Sequence, residues 1–179
     1  MSVYYLPLQH NKIKKENHAY YKSFQIAYKI SGNLGKKNDV LYVYNKKGDE
    51  LSRIRQTSYG FLPRFQLLYK DKYMGSIGFH FGKIHDLIFI RHLNWLITGE
   101  ITFGKYRIRH GKNKLLEVNP IKFPNGIFYQ LKVENDKQAP MHIAIAALLD
   151  TWGIKKNRNF LKFPTPELRY KFKMASKIN

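Results

Sequence analysis

Apolar and polar positions along this chain come in short alternating bursts separated by turn-forming residues. Phe24, Ile26, Tyr28 and Ile30 alternate within residues 20–30 as on a half-buried strand. Residues 31–39 then form a turn-rich loop. Residues 40–44 and 51–56 flank Asn45-Lys46-Lys47-Gly48-Asp49, a hairpin turn, and residues 63–69 and 73–81 flank Lys70-Asp71-Lys72. The continuous apolar run 87–90 reads as a strand buried on both faces. Leu93, Trp95 and Ile97 alternate with Asn94 and Thr98; Gly99 breaks that run, and residues 101–110 resume it. After the turn Gly111-Lys112-Asn113 come residues 115–119, and Asn125-Gly126 signals a further hairpin before residues 128–133. At the other end of the chain, residues 2–8 fit an edge strand limited by Pro7, and residues 11–17 a lysine-rich loop. Short strands at this spacing predict an antiparallel all-β domain.

One stretch breaks the alternation. Residues 139–152 place Pro140 in a first helical turn, where its missing N–H has no partner to lose, and follow it with Ala144, Ala146, Ala147, Leu148 and Leu149. The run 143–149 is apolar on every side, and such a helix has to be buried on every side. Fourteen residues at about 1.5 Å each span roughly 21 Å, short of the roughly 30 Å of a bilayer core. The pattern therefore predicts a mostly-β fold whose antiparallel sheet closes around this C-terminal helix. Closure removes strand edges that would otherwise pair with other chains. A weak repeat at an offset of 64 residues matches Tyr42 with Tyr106, Leu51 with Leu115, Gln66 with Gln130 and Leu67 with Leu131, as in a meander used twice.

Charge alters the picture most. The 179 residues hold 32 Lys and Arg against 12 Asp and Glu, a formal net charge of +20. Such a balance favours polyanionic partners, nucleic acid or an anionic lipid or membrane surface; taken with the rest of the chain, the lipid surface is the leading reading, nucleic acid the second and a protein-interaction scaffold the third. No cysteine occurs, so disulfides, thiolate metal sites and cysteine nucleophiles are excluded together. The N-terminus lacks the basic start and long apolar run of a secretory signal. A cytoplasmic protein, peripheral at the inner membrane face in the lipid reading, is expected.

Little in the sequence points to catalysis, a metal or a cofactor. Histidines such as His80, His85, His92 and His110 show no metal-ligand spacing. Gly75, Gly78 and Gly82 lack the following helix that a phosphate cradle needs, and carboxylates are scarce. Asp150 stands near a helix C-terminus, against the dipole, and so predicts a specific partner, a lysine or backbone N–H groups. The candidate anion-binding residues lie in two alternating rows, Arg53 and Arg55 in one, Lys105, Arg107 and Arg109 in the other. Arginine suits bidentate recognition of phosphate, and the repeat predicts that the rows come from equivalent strands and form one patch. A second candidate is the tail, where Lys155, Lys156, Arg158, Lys162, Arg169, Lys171, Lys173 and Lys177 face the single acid Glu167, a net of 8 − 1 = +7. Phe160, Leu161, Phe163, Leu168, Tyr170, Phe172 and Met174 interleave with them, a mixture suited to a membrane interface or single-stranded nucleic acid.

Several segments resemble the LURP-one-related family of the tubby C-terminal-like superfamily. Val43-Tyr44-Asn45-Lys46-Lys47-Gly48-Asp49, Arg64-Phe65-Gln66-Leu67-Leu68-Tyr69-Lys70-Asp71 and Gly75-Ser76-Ile77 are similar to its beginning. Trp95-Leu96-Ile97-Thr98-Gly99 resembles its central signature, and Tyr106-Arg107-Ile108-Arg109-His110-Gly111 with Tyr129-Gln130-Leu131 continues the order. The resemblance covers residues 20–150. It implies a twelve-stranded antiparallel barrel threaded by its C-terminal helix, in a superfamily that includes phosphoinositide-binding tubby proteins and phospholipid scramblases. Residues 1–152 would then form the barrel domain. Residues 153–179, beyond the family's usual end, would form a basic aromatic extension.

Overall fold

Twelve strands follow one another around a closed antiparallel barrel in the computed structural model, which describes residues 1–8, 16–58, 63–78 and 87–156, with side chains at all of these except 102 and 152–156. They are β1 (Ser2–Pro7), β2 (Glu16–Tyr21), β3 (Ile26–Gly32), β4 (Val40–Tyr44), β5 (Glu50–Gln56), β6 (Arg64–Tyr69), β7 (Lys72–Gly78), β8 (Leu87–Arg91), β9 (Trp95–Glu100), β10 (Lys105–His110), β11 (Asn113–Phe123) and β12 (Gly126–Val133). Each strand pairs with the next in sequence, and β1 closes the ring on β12 from Ser2↔Val133 to Pro7↔Phe128. The first strand is therefore not an edge: it also pairs with β2. Pro7 is tolerated because it is the strand's last residue.

Alternate residues point inward, and Ile54, Phe65, Leu67, Ile77, Ile90, Ile97, Ile108, Leu116 and Leu131 are fully buried. They close on α1 (Ala139–Lys156), in which every residue from Ala139 to Asp150 is buried. The all-round apolar surface of that stretch has the environment it requires. Ala139, Ala144, Ala146 and Ala147 keep the helix thin where the strands approach it. The helix runs four residues past the expected end at Trp152. The 64-residue repeat maps β4 to β10, β5 to β11 and β6 to β12, six strands apart in a ring of twelve.

Two strand readings change. Residues 20–30 are not one strand but the end of β2, a tight turn and the start of β3. The Phe24 N–H donates to the Tyr21 carbonyl, and Phe24 takes a left-handed φ of 58°. That geometry is uncommon for a bulky residue, and nothing in the local sequence announces it. Phe24 stacks on Tyr5 at 5.6 Å and meets Phe123 edge-on at 5.0 Å, contacts that offset the backbone strain. In β8 only Ile88 and Ile90 are buried, whereas Leu87 is 51% and Phe89 46% exposed. A barrel filled by its own helix has one inner face, so an apolar run cannot be buried on both.

Gly99 does not end β9, which continues to Glu100. Its φ of 123° and its closeness to β10 demand glycine: a Cβ there would sit 2.6 Å from the Lys105 carbonyl oxygen.

Candidate functional site

The two predicted basic rows do not meet. Arg53 and Arg55 lie on β5 and Lys105, Arg107 and Arg109 on β10, with β6 to β9 between them one way round the barrel. Nor are the strands equivalent, since the 64-residue offset places Arg53 on Glu117 and Arg55 on Asn119, both in β11. A single patch of Arg53, Arg55, Arg107 and Arg109 is thus not formed. The repeat instead carries a reversal of charge. Arg53 bonds Glu50 at 2.8 Å, and the matching pair in β11 is Glu117 with Lys114 at 2.9 Å.

Arg53 is held within its surroundings. Its guanidinium also pairs with Asp71 at 2.8 Å, and its side chain is only 19% exposed. Burial works against its charge, but Glu50 and Asp71 more than offset this and hold its pKa above the ordinary value. Arg55 is exposed on the same strand, opposite Val40 and Gln66.

The β10 row has a different setting. In one rung across the outer face, Phe89 of β8 lies opposite Leu96 of β9, and Leu96 opposite Arg109 of β10. In the next rung Leu87 lies opposite Thr98, and Thr98 opposite Arg107. An apolar column, with both Leu87 and Phe89 about half exposed, therefore runs beside a basic one. Arg107 is 52% exposed and makes one loose ion pair, to Glu117 at 3.8 Å. Glu117 is held mainly by Lys114, with a further bond from Asn119 at 3.4 Å. These contacts, the Lys114 bond foremost, keep its carboxyl below the usual range despite burial.

Around Gly99 the face dips into an open hollow of about 280 Å³, lined by Thr98, Glu100, Lys105, Arg107, Glu117 and Asn119 among others. Glu100 and Lys105 are register partners across β9 and β10, yet they form no ion pair with each other or with other described residues. Only Lys29, Arg53, Arg107 and Lys114 make ion pairs among the described lysines and arginines.

The interior holds polar groups, among them Asp150, for which a lysine or backbone N–H partner was expected and which meets a tyrosine instead. Asp150 receives a hydrogen bond from Tyr129, whose phenol is pushed upward by burial first and then by the charge of Asp150. Burial and the same carboxylate raise the pKa of Tyr106. Near the other end of the helix, His142 is fully buried and stacks on Trp95 at 5.0 Å. Among the described residues neither of its ring nitrogens has a hydrogen-bond partner, and burial lowers its pKa to about 4. A histidine at the fourth position of a helix whose first eleven residues are otherwise apolar was the available signal. Among the described residues no group of three or more His, Cys, Asp or Glu could hold a metal ion. Lys155 and Lys156 end α1 with side chains outside the described set, and Arg158, Lys162, Arg169, Lys171, Lys173 and Lys177 lie outside the described residues.

Comparison with known proteins bears on the scaffold that carries this face. The X-ray structure of the protein AT5G01750 from Arabidopsis thaliana superposes with a TM-score of 0.54, covering 83% of this chain and 90% of that one. The fold is shared. Identity to that protein is 10%, so the likeness concerns the fold alone. The chain is also 24% identical over 133 residues to the Bacillus subtilis (strain 168) protein titled "Uncharacterized protein YxjI", spanning 74% of this chain and 82% of YxjI. No family profile matches the chain. Among the described residues no helix is long and apolar enough to cross a membrane.

Proposed function

We propose that this chain is a non-enzymatic binding module of the LURP-one-related family that docks peripherally, from the cytoplasmic side, on anionic phospholipid. The family reading rests on the order of the motifs between residues 20 and 150 and on the barrel shared with AT5G01750. The binding reading rests on one observation, the apolar column of β8 and β9 set beside the basic column of β10. A headgroup layer offers both environments at once, with phosphates for the arginines and a less polar zone just beneath for Leu87 and Phe89. A nucleic acid offers phosphates but no continuous apolar layer for those side chains. With the lumen occupied by α1, a ligand has only the outer surface to use.

Each Lys or Arg held near an anionic bilayer contributes about 1 kcal/mol. The three cations of β10 together supply about 3 kcal/mol, and Lys155, Lys156 and the basic tail add to the same balance. The test is co-sedimentation of the full chain with phosphatidylglycerol and with phosphatidylcholine vesicles over a salt series, beside gel shifts with RNA and DNA. Binding to the anionic vesicles alone, weakening as salt rises, is the expected result. Retarded nucleic acid together with indifferent vesicles would replace this reading with the nucleic-acid one.

A further inference from the structure

The hollow around Gly99 is not simply basic. Its centre is the β10 pair Lys105 and Arg107, and carboxylates flank that pair on both sides, Glu100 on β9 and Glu117 on β11. The two acids are in different states. Glu117 already bonds Lys114 and Asn119, whereas Glu100 has no ion pair among the described residues. Beside it, Lys105 is likewise without an ion pair, and Arg107 has donors to spare beyond its 3.8 Å contact. Glu100 thus stands a strand's width from Lys105 and diagonally across from Arg107, which is opposite Thr98, with Thr98 and Asn119 offering neutral hydrogen-bonding groups.

We infer that this hollow binds a phosphate ester that carries a primary amine, of the phosphoethanolamine type. The phosphate lies between Lys105 and Arg107, and the ammonium faces Glu100. Neighbouring strands are about 4.8 Å apart, a spacing that the two-carbon linker between phosphate and ammonium spans. A purely anionic ligand would leave the Glu100 carboxylate without a partner and be repelled by it. A zwitterion uses it. The volume of about 280 Å³ suits a headgroup, lying just below the roughly 300–1,000 Å³ usual for larger ligands. The inference deepens the lipid-binding proposal, on which it rests, by naming the headgroup chemistry, and the same chemistry also occurs in the free phosphomonoester.

Calorimetric titration of the full chain with O-phosphoethanolamine, inorganic phosphate and ethanolamine tests it. Phosphoethanolamine is expected to bind saturably and more tightly than either fragment. Arg107→Ala should weaken both phosphoethanolamine and phosphate by about tenfold. Glu100→Gln should weaken phosphoethanolamine by about tenfold but tighten inorganic phosphate, because it removes a repelling charge. Both positions are exposed, so both variants keep the fold, as thermal melts will register. Phosphate and phosphoethanolamine bound alike, or a Glu100→Gln change of the same sign for both, would overturn the inference.

Vesicles of equal anionic fraction, with and without phosphatidylethanolamine, separate the two ligand sources. Stronger binding to the amine-bearing vesicles assigns the lipid headgroup. Saturable phosphoethanolamine binding without vesicle binding assigns the free ester and removes the surface-docking proposal. Sedimentation with phosphatidylglycerol vesicles without any phosphoethanolamine titration removes the hollow's assignment and keeps the surface reading.

Discussion

His142 sets the acid limit of this barrel. The side chain is fully buried against Trp95, both ring nitrogens lack partners among the described residues, and its pKa falls from 6.5 to about 4 with burial as the cause. A pKa depressed in the folded state means that between those two values the unfolded chain binds the proton more readily. Stability therefore falls as pH drops below 6.5, until the folded form also protonates near pH 4. At 1.36 kcal/mol per unit the whole effect is about 3 kcal/mol, and most of it is lost between pH 7 and pH 4.5. Replacing His142 with Phe keeps an aromatic ring beside Trp95 and removes both the titration and two unpartnered nitrogens. Urea unfolding at pH 7.5, 6.5, 5.5 and 4.5 should show the wild type losing stability across the series and His142→Phe losing about 2 kcal/mol less. The carboxylates Glu16 and Glu117, whose pKa values are lowered chiefly by hydrogen bonds from Lys29 and Lys114, are common to both proteins and cancel in the comparison. Parallel pH profiles for the two proteins would refute the reasoning, because they would mean that the imidazole is solvated or hydrogen-bonded.

Other perturbations test separate parts of the structure. Ala146→Asp or Ala147→Asp places an unpaired charge inside the barrel and should abolish a cooperative melt, since its cost rivals a typical total stability of about 5–15 kcal/mol. Gly104→Ala should destabilise by about 2–4 kcal/mol in chemical denaturation, because φ is 67° there and the new Cβ would land on the ring of Tyr129. Arg107→Ala combined with Arg109→Ala should weaken anionic-vesicle binding roughly thirtyfold at low salt, at about 1 kcal/mol per cation. Arg53→Ala should instead lower the melting temperature and retain vesicle binding, because that guanidinium is occupied by Glu50 and Asp71; equal vesicle losses in the two proteins would contradict the distinction.

The helix was legible because an unbroken apolar run admits few environments, and most strands because their turns carry Gly, Asn and Asp at the needed places. The β2–β3 turn was not legible: its left-handed residue is Phe24, and what holds it there is packing on Tyr5 and Phe123, more than eighteen and ninety residues away in sequence. Exposure in β8 was hidden for a related reason, since Leu87 and Ile88 are alike in composition and differ only in the side of the sheet they take. The candidate site was half visible. Alternation correctly placed Lys105, Arg107 and Arg109 on one face, but which strands flank that face depends on closure and register. Glu100 and Glu117, which change the chemistry of the hollow, enter only once β9 and β11 are known to lie on either side.

The seam between β1 and β12 has a consequence for how the protein is made. Ser2 pairs with Val133, and the helix that fills the lumen comes later still. A nascent chain emerging N-terminus first must therefore hold a growing sheet with two unsatisfied edges, and an inner face with nothing to pack on, until residues 126–156 have left the ribosome. Loop closure over so long a separation is slow, and open strand edges are sticky while they wait. The high positive charge has a use at this stage as well: neighbouring unfinished chains repel one another. Closure of the ring therefore waits on β12, and filling of its lumen on α1, the last two elements described above to be made.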